Sequence, residues 1–170
     1  KTFQVDDWMG CVANSTDWKK VNHIIVVPTY KEPIETLKRT LNKLKEQTFP
    51  LKNIHIMLSF EDREGNEARE KAKDLLKIYG KDFGHLWVTY HPDLPGEVKG
   101  KSSNTSWGAK ESKRYLVDQE KMDIDYITIT SEDADAMLHP SYFACLTYHF
   151  LDNPARYTTI WQAILMFYNN

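Results

Sequence analysis

The chain has 170 residues, of which 41% are hydrophobic and 27% charged, and these proportions fit one globular domain with a substantial core. The formal net charge of −2 gives no electrostatic basis for binding nucleic acid or an anionic lipid surface. Cys11 and Cys145 are the two cysteines, and they lie far apart, so we expect neither a disulfide framework nor a zinc site.

Four short apolar runs predict buried strands, at residues 23–27, 54–58, 86–90 and 126–130. Patterns of helical period follow them and predict helices at residues 33–47, 66–79 and 103–119, with a last helix from Pro140 to Asp152. Asn66 is expected to cap the second helix and Gly80 to end it. Because strand and helix alternate along the chain, we predict an α/β fold with a mostly parallel central sheet.

The predicted topology also locates a binding site. In open parallel sheets, ligands bind beyond the carboxyl ends of the strands. The loops that follow the four predicted strands begin at Pro28, Ser59, His91 and Ser131. We therefore expect these four loops to supply the functional residues.

The fourth loop carries Asp133-Ala134-Asp135 directly after its strand, with Glu132 beside them. Two carboxylates spaced i, i+2 offer the hard oxygen ligands that Mg²⁺ and Mn²⁺ prefer, usually together with phosphate oxygens of a substrate. Three acids in four positions repel one another unless a cation or solvent lies between them. The alternative is an acidic turn that faces water.

The first two loops offer groups that could bind a nucleoside. In the first, a base could stack on Tyr30, and Glu32 adds a carboxylate at a helix start. In the second, Glu61 could accept a hydrogen bond from a base N–H or a ribose hydroxyl. The alternatives are a helix-initiation loop and a solvated charged turn.

The third loop contains Gly100-Lys101-Ser102, which is similar to the end of a phosphate-binding Walker A loop. The first glycine of that motif would fall at position 95, which is Pro95. Lys101 is nevertheless predicted at a helix start, where anions are favoured, so it could reach a diphosphate.

Three segments carry a more specific pattern. They are Val26-Val27-Pro28-Thr29-Tyr30-Lys31-Glu32, then Gly100-Lys101-Ser102-Ser103-Asn104, then Ser131-Glu132-Asp133-Ala134-Asp135 followed by Met137, Pro140 and Tyr142. In order and spacing they resemble the opening strand, the lysine–asparagine segment and the Asp-x-Asp region of processive family-2 glycosyltransferases, of the cellulose-synthase-like superfamily. The resemblance spans roughly residues 22–150.

This resemblance implies a Rossmann-like GT-A fold and inverting transfer of a sugar from a UDP-sugar or GDP-sugar to a saccharide or lipid-linked acceptor. Asp133 and Asp135 would hold Mn²⁺ or Mg²⁺, Glu61 would aid base binding, and Lys101 would approach the diphosphate. By position, the residues implied in donor binding are Pro28, Thr29, Tyr30, Glu32, Glu61, Lys101 and Asp133.

The chain also departs from the family's pattern. The second loop reads Ser59-Phe60-Glu61-Asp62 instead of Asp-Asp-x-Ser-x-Asp, and neither a later acid pair nor a Gln-x-x-Arg-Trp segment follows. The general base is therefore expected beyond residue 170. We expect a fragment with an arm at residues 1–21, a donor-binding domain at residues 22–156, and the start of an acceptor- and membrane-facing region at residues 157–170. The resemblance further implies membrane association through segments absent from this chain, with the catalytic domain on the cytoplasmic side.

Two other functions remain open from the sequence. A P-loop-like NTPase would use Gly100-Lys101-Ser102 as Walker A and Glu132-Asp133 as Walker B. A non-catalytic nucleotide-binding domain would account for the missing base.

Overall fold

The computed structural model of this chain describes residues 8, 10–12 and 17–162. Over residues 17–162, four strands alternate with four α-helices, as the sequence predicts. The strands are β1 Asn22–Thr29, β2 Ile54–Glu61, β3 His85–His91 and β4 Ile127–Ser131. The helices are α1 Ile34–Lys45, α2 Asn66–Tyr79, α3 Lys101–Lys113 and α4 Tyr142–Asp152.

The four strands form one sheet in the order β3-β2-β1-β4, and every pair is parallel. One helix lies between each pair of consecutive strands in the chain, because a parallel connection must cross from one end of the sheet to the other. The prediction of an α/β fold with a parallel central sheet is confirmed, and the arrangement is consistent with a Rossmann-like fold.

The central strand β1 is buried on both faces. Ile25 and Val27 belong to the larger hydrophobic cluster, together with residues of α1, α2 and α4. Ile24 and Val26 belong to a smaller cluster that includes Leu116, which lies just beyond α3. A strand covered on both sides reads as a continuous apolar run, which explains why β1 is so readily recognised in the sequence.

The strands extend further than predicted, so several expected loop residues lie at strand ends. Pro28 and Thr29 belong to β1, and Glu61 is the last residue of β2. Pro28 is tolerated there because β1 pairs with β4 only as far as Val26, so the missing N–H costs no hydrogen bond on that side.

Two helix starts differ from the predictions. Asn66 is the first residue of α2 and not its cap; Gly65 precedes it with φ of 73°, a conformation that glycine adopts without strain. Helix α3 begins at Lys101, two residues before the predicted start, and continues as a π-helical segment over Arg114–Gln119. The predicted end of this helix at Gln119 is therefore confirmed.

The predicted terminal regions are only partly described. Of the arm at residues 1–21, positions 1–7, 9 and 13–16 lie outside the described residues, as do positions 163–170 of the region at 157–170. Within the described part, Trp8 packs its ring against Tyr148 and His149 of α4. No helix among the described residues has the length and apolar character needed to cross a membrane.

Candidate functional site

The carboxyl ends of all four strands meet at one edge of the sheet, which we call the carboxyl edge. It comprises Thr29, Glu61, His91 and Ser131, the last residues of the four strands, and the loops that follow them. In the pairing register Glu61 lies opposite His91, while Ser131 pairs with Val26, three residues before the end of β1. The four loops predicted to be functional therefore lie side by side.

Buried polar groups without partners are concentrated at this edge. Among the described residues, the buried side-chain nitrogen and oxygen atoms without a hydrogen bond are Thr29 Oγ1, His91 Nδ1 and both carboxyl oxygens of Glu132. Leaving such a group unpaired costs about 1–3 kcal/mol, and native proteins contain few of them. Thr29 and His91 are the last residues of their strands and Glu132 directly follows β4, so all three lie at the carboxyl edge.

The first loop places Tyr30 at the rim of the edge. Tyr30 is 37% exposed, and the Arg63 guanidinium lies 4.1 Å from the centre of its ring on the side of the second loop. Lys31 follows with φ of 61°, and its N–H donates to a carboxylate oxygen of Glu64. Glu32 is half-buried, and its carbonyl accepts from the Lys71 ammonium. The first and second loops are thus joined through Tyr30–Arg63 and Lys31–Glu64.

At the end of β2, Glu61 is almost completely buried, with 5% of its surface exposed. Its Oε2 lies 3.4 Å from the Arg63 Nε and 3.7 Å from the His91 Nδ1. Sequence reasoning identified Glu61 but missed Arg63 and His91. Arg63 lies two residues after the end of β2 and His91 is the last residue of β3, so both lie at the predicted edge, but no local pattern in the sequence distinguishes them.

Helix α3 is held tightly against β1 and β2, and this fixes the start of the helix at the edge. The Asn104 side chain donates to the Ser59 carbonyl at 2.8 Å and accepts from the Ser59 hydroxyl at 2.7 Å. Close contact is possible because residue 108 is glycine: a Cβ there would lie 2.7 Å from the Val26 side chain. Lys101, the first residue of α3, is therefore anchored although its own side chain is exposed.

The third and fourth loops meet in an ion pair between the Lys101 ammonium and the Asp133 carboxylate. Both side chains are more than half exposed, so either could turn to a ligand. The Ala134 carbonyl accepts from the buried Thr40 hydroxyl at 2.6 Å, which fixes on α1 the turn of residues 132–135, which we call the acid loop. Asp133 and Asp135 flank this buried anchor, and both are exposed.

Glu132 does not join the other two acids. It is 3% exposed, whereas Asp133 and Asp135 face solvent, so burial alternates along the loop. Burial, with a smaller contribution from the charge of Asp133, raises the pKa of Glu132 from 4.5 to about 8. The cluster of three repelling acids expected from the sequence is therefore an exposed pair and one buried, neutral carboxyl group.

A groove of about 610 Å³ runs beside β4 and adjoins the acid loop. Its walls include Ile129, Tyr142, Phe150 and Trp161 as well as Glu132 and Asp133. The acid loop therefore contributes to two adjoining surfaces, the carboxyl edge and this groove.

No group of three or more histidine, cysteine or acidic side chains suited to a metal ion occurs among residues 8, 10–12 and 17–162. Asp133 and Asp135 offer two exposed carboxylates. Mg²⁺ is usually bound by one or two carboxylates together with substrate phosphates, so this donor set fits a metal that arrives with a phosphate ligand and not a fully protein-bound ion. The side-chain ammonium already paired with Asp133 shows that the position attracts positive charge.

No protein-family model matches the chain, and no curated protein matches it significantly.

Proposed function

We propose that this chain is the donor-binding part of an inverting glycosyltransferase with a GT-A fold, of the processive family-2 type. It would bind a UDP-sugar or GDP-sugar together with Mn²⁺ or Mg²⁺ and present the sugar to an acceptor hydroxyl of a saccharide or lipid-linked saccharide. The proposal includes association with the cytoplasmic side of a membrane through segments outside this chain.

The observation that carries the proposal is the ion pair between Lys101 and Asp133. The resemblance assigns the lysine to the diphosphate and the aspartate to the metal and ribose, and these residues are 32 positions apart in the chain. Their contact is what one diphosphate–metal subsite requires. The unpartnered polar groups at the neighbouring strand ends support a polar ligand at the same edge.

Each loop then has a part in binding. Tyr30, at the rim with the Arg63 guanidinium over its ring, offers a stacking surface for the base, and the Glu61 carboxylate offers an acceptor for a base N–H. Pro28, Thr29 and Glu32, which lie at or just after the end of β1, would complete the nucleoside subsite, as the resemblance implies.

Lys101, at the N-terminus of α3, would move from Asp133 to the diphosphate, where the positive end of the helix dipole also favours the negative charge. Asp133 and Asp135 would hold the metal, which stabilises the charge that develops on the leaving diphosphate. The base that deprotonates the acceptor hydroxyl lies, in this proposal, outside residues 1–170.

The test is metal-dependent nucleotide binding by wild type and two aspartate variants. Calorimetric titrations of UDP, GDP and ATP, each with and without Mn²⁺, are expected to show UDP or GDP binding that needs the metal. Asp135→Ala should weaken this binding at least tenfold, since one of the two proposed metal ligands is lost. Asp125→Ala is the matched control, because Asp125 is also exposed but lies before the amino end of β4.

Unchanged metal-dependent affinity in Asp135→Ala would refute the assignment of Asp135 to the metal. Tighter binding of ATP than of either UDP or GDP would instead favour the P-loop-like NTPase. The loop before Lys101 runs nine residues from the end of β3 at His91, and Pro95 stands where the Walker A motif has its first glycine.

A further inference from the structure

Two histidines and a carboxylate link the amino ends of β2 and β3 to the end of the helix that precedes β4. His55 and His85 face each other through their Nδ1 atoms, which are 3.0 Å apart, and the His85 Nε2 lies 3.1 Å from the Glu120 Oε1. Glu120 directly follows the π-helical segment Arg114–Gln119 that continues α3. We call His55, His85 and Glu120 the histidine latch. It lies at the edge of the sheet opposite the carboxyl edge.

The contacts of His55 determine which of its nitrogens carries a proton. The Asn22 amide donates from Nδ2 to the Lys20 carbonyl at 2.8 Å, so its Oδ1 is the acceptor that lies 2.9 Å from the His55 Nε2. His55 is 1% exposed, and burial, with a smaller contribution from the charge of His85, lowers its pKa to about 4. Neutral His55 therefore has its proton on Nε2, and its Nδ1 accepts the Nδ1 proton of His85.

His85 then needs a second proton to attract Glu120. A neutral His85 that donates from Nδ1 would leave a bare Nε2 beside a carboxylate oxygen, and two electron-rich atoms 3.1 Å apart repel each other. The His85 ring also stacks on the Trp87 ring at 4.4 Å with 7° between the planes, and an aromatic face attracts a cation. Trp87 stacks in turn on Tyr115 of the π-helical segment at 5.6 Å. Protonated His85 is therefore joined to this segment through Glu120 and through Trp87.

We propose that the histidine latch is a pH-sensitive switch: His85 holds the end of the π-helical segment on β3 while it carries both ring protons, and releases it when one is lost as the pH rises. A neutral imidazole has a single ring proton, so it can donate to His55 or attract Glu120 but cannot do both. The inference is independent of the proposed function, because the start of α3 is held at the other edge through Asn104.

Other charged groups near the latch bind different partners. The Arg114 guanidinium lies over the Tyr115 ring and pairs with Glu111 at 2.6 Å. The Lys121 ammonium donates to the Asp118 carbonyl at 2.6 Å. The proton on His85 is therefore the charge that these contacts leave to balance Glu120.

The first measurement is the protonation of the rings, by nitrogen-15 NMR of the histidine side chains at pH 5.5 and pH 8.5. We expect two protonated nitrogens in His85 at pH 5.5 and one at pH 8.5. His55 should keep its single proton on Nε2 at both pH values, because burial lowers its pKa to about 4, and His23, with a pKa of about 3, should stay neutral. A His85 with one proton at pH 5.5, or with two at pH 8.5, would overturn the inference.

The second measurement is hydrogen exchange of the Glu120 and Met122 amides, which donate to the Tyr115 and Leu116 carbonyls at 3.0 and 2.9 Å. Their protection factors in wild type should fall about fivefold between pH 5.5 and pH 8.5. This is the loss expected for one partly exposed ion pair together with a cation–π contact. Unchanged protection in wild type would overturn the inference.

Two variants separate the latch from other effects of pH. In Glu120→Gln the same protection factors should already be low at pH 5.5 and change less than twofold by pH 8.5. Glu111→Gln is the matched control, because it removes a carboxylate of the same helix that pairs with Arg114, and it should respond to pH as wild type does. Glu132 also titrates in this range, but both variants retain it. A wild-type pH response in Glu120→Gln would overturn the inference.

Discussion

Glu132 is expected to lower the stability of the folded domain near neutral pH. Its carboxyl group is 3% exposed, and neither oxygen has a hydrogen-bond partner. Burial is the main reason that its pKa is raised from 4.5 to about 8. At pH 7 the folded domain therefore keeps Glu132 protonated, whereas the unfolded chain ionises it.

The magnitude follows from proton linkage. The unfolded chain binds fewer protons than the folded one between the two pKa values, so the free energy of unfolding falls as the pH rises from 4.5 to about 8. Each pH unit is worth about 1.4 kcal/mol, so about 3 kcal/mol is lost by pH 7. Glu132→Gln replaces a neutral acid by a neutral amide of nearly the same shape, and it should recover up to about 3 kcal/mol at pH 7 and almost nothing at pH 4.5.

The assay is urea unfolding followed by circular dichroism at pH 4.5, 6, 7 and 8. Glu35→Gln is the control, because the Glu35 side chain is 76% exposed and makes a surface ion pair with Lys38. Such pairs contribute little, so this variant should follow the wild-type pH dependence. The reasoning is refuted if the curves of Glu132→Gln and wild type stay parallel from pH 4.5 to pH 8.

Three further predictions concern the core and the ligand edge. Burial lowers the pKa of His23 to about 3 and that of His55 to about 4. The free energy of unfolding therefore falls as the pH drops below 6.5, by about 1.4 kcal/mol per pH unit for each histidine. In urea titrations His23→Gln should lose less stability per pH unit than wild type below pH 6.5, and an unchanged pH dependence would contradict this. Gly108→Ala should destabilise the domain by about 1–3 kcal/mol in the same assay, because the new Cβ would lie 2.7 Å from the Val26 side chain. If Gly108→Ala were as stable as wild type, α3 would be able to move away from the sheet without cost. Lys101→Met should weaken UDP binding about tenfold. It should not lower the melting temperature, because the Lys101 side chain is 59% exposed. If calorimetry gives the variant the same UDP affinity as wild type, Lys101 does not contact the diphosphate.

The site was only partly predictable from the sequence. The rule that ligands bind beyond parallel strands selected four loops that the structure brings to one edge of the sheet, and with them Glu61, Lys101 and Asp133. It did not identify Arg63 or His91, because their importance comes from what they contact: the Tyr30 ring in one case and the Glu61 carboxylate in the other. Contacts between loops that are far apart in the chain leave no local pattern.

The acid loop gives a second example, at a single residue, of what the sequence could not predict. Glu132, Asp133 and Asp135 are chemically alike in the sequence, and nothing local distinguishes them. The fold buries Glu132, as it buries Ala134, and leaves the two aspartates in solvent. The environment of each carboxyl group therefore decides that two are exposed while the third is buried, with a pKa raised to about 8.

The sequence by itself determined the order of strands and helices and the parallel sheet, because apolar periodicity reports which side of each segment is buried. It also determined which loops would share an edge, because chain direction is the same in every parallel strand. The tertiary structure alone decided the order β3-β2-β1-β4, the pairing of Lys101 with Asp133, and the burial of His91 and Glu132. These features depend on long-range packing, where the free energy of each contact is set by neighbours that the local sequence does not contain.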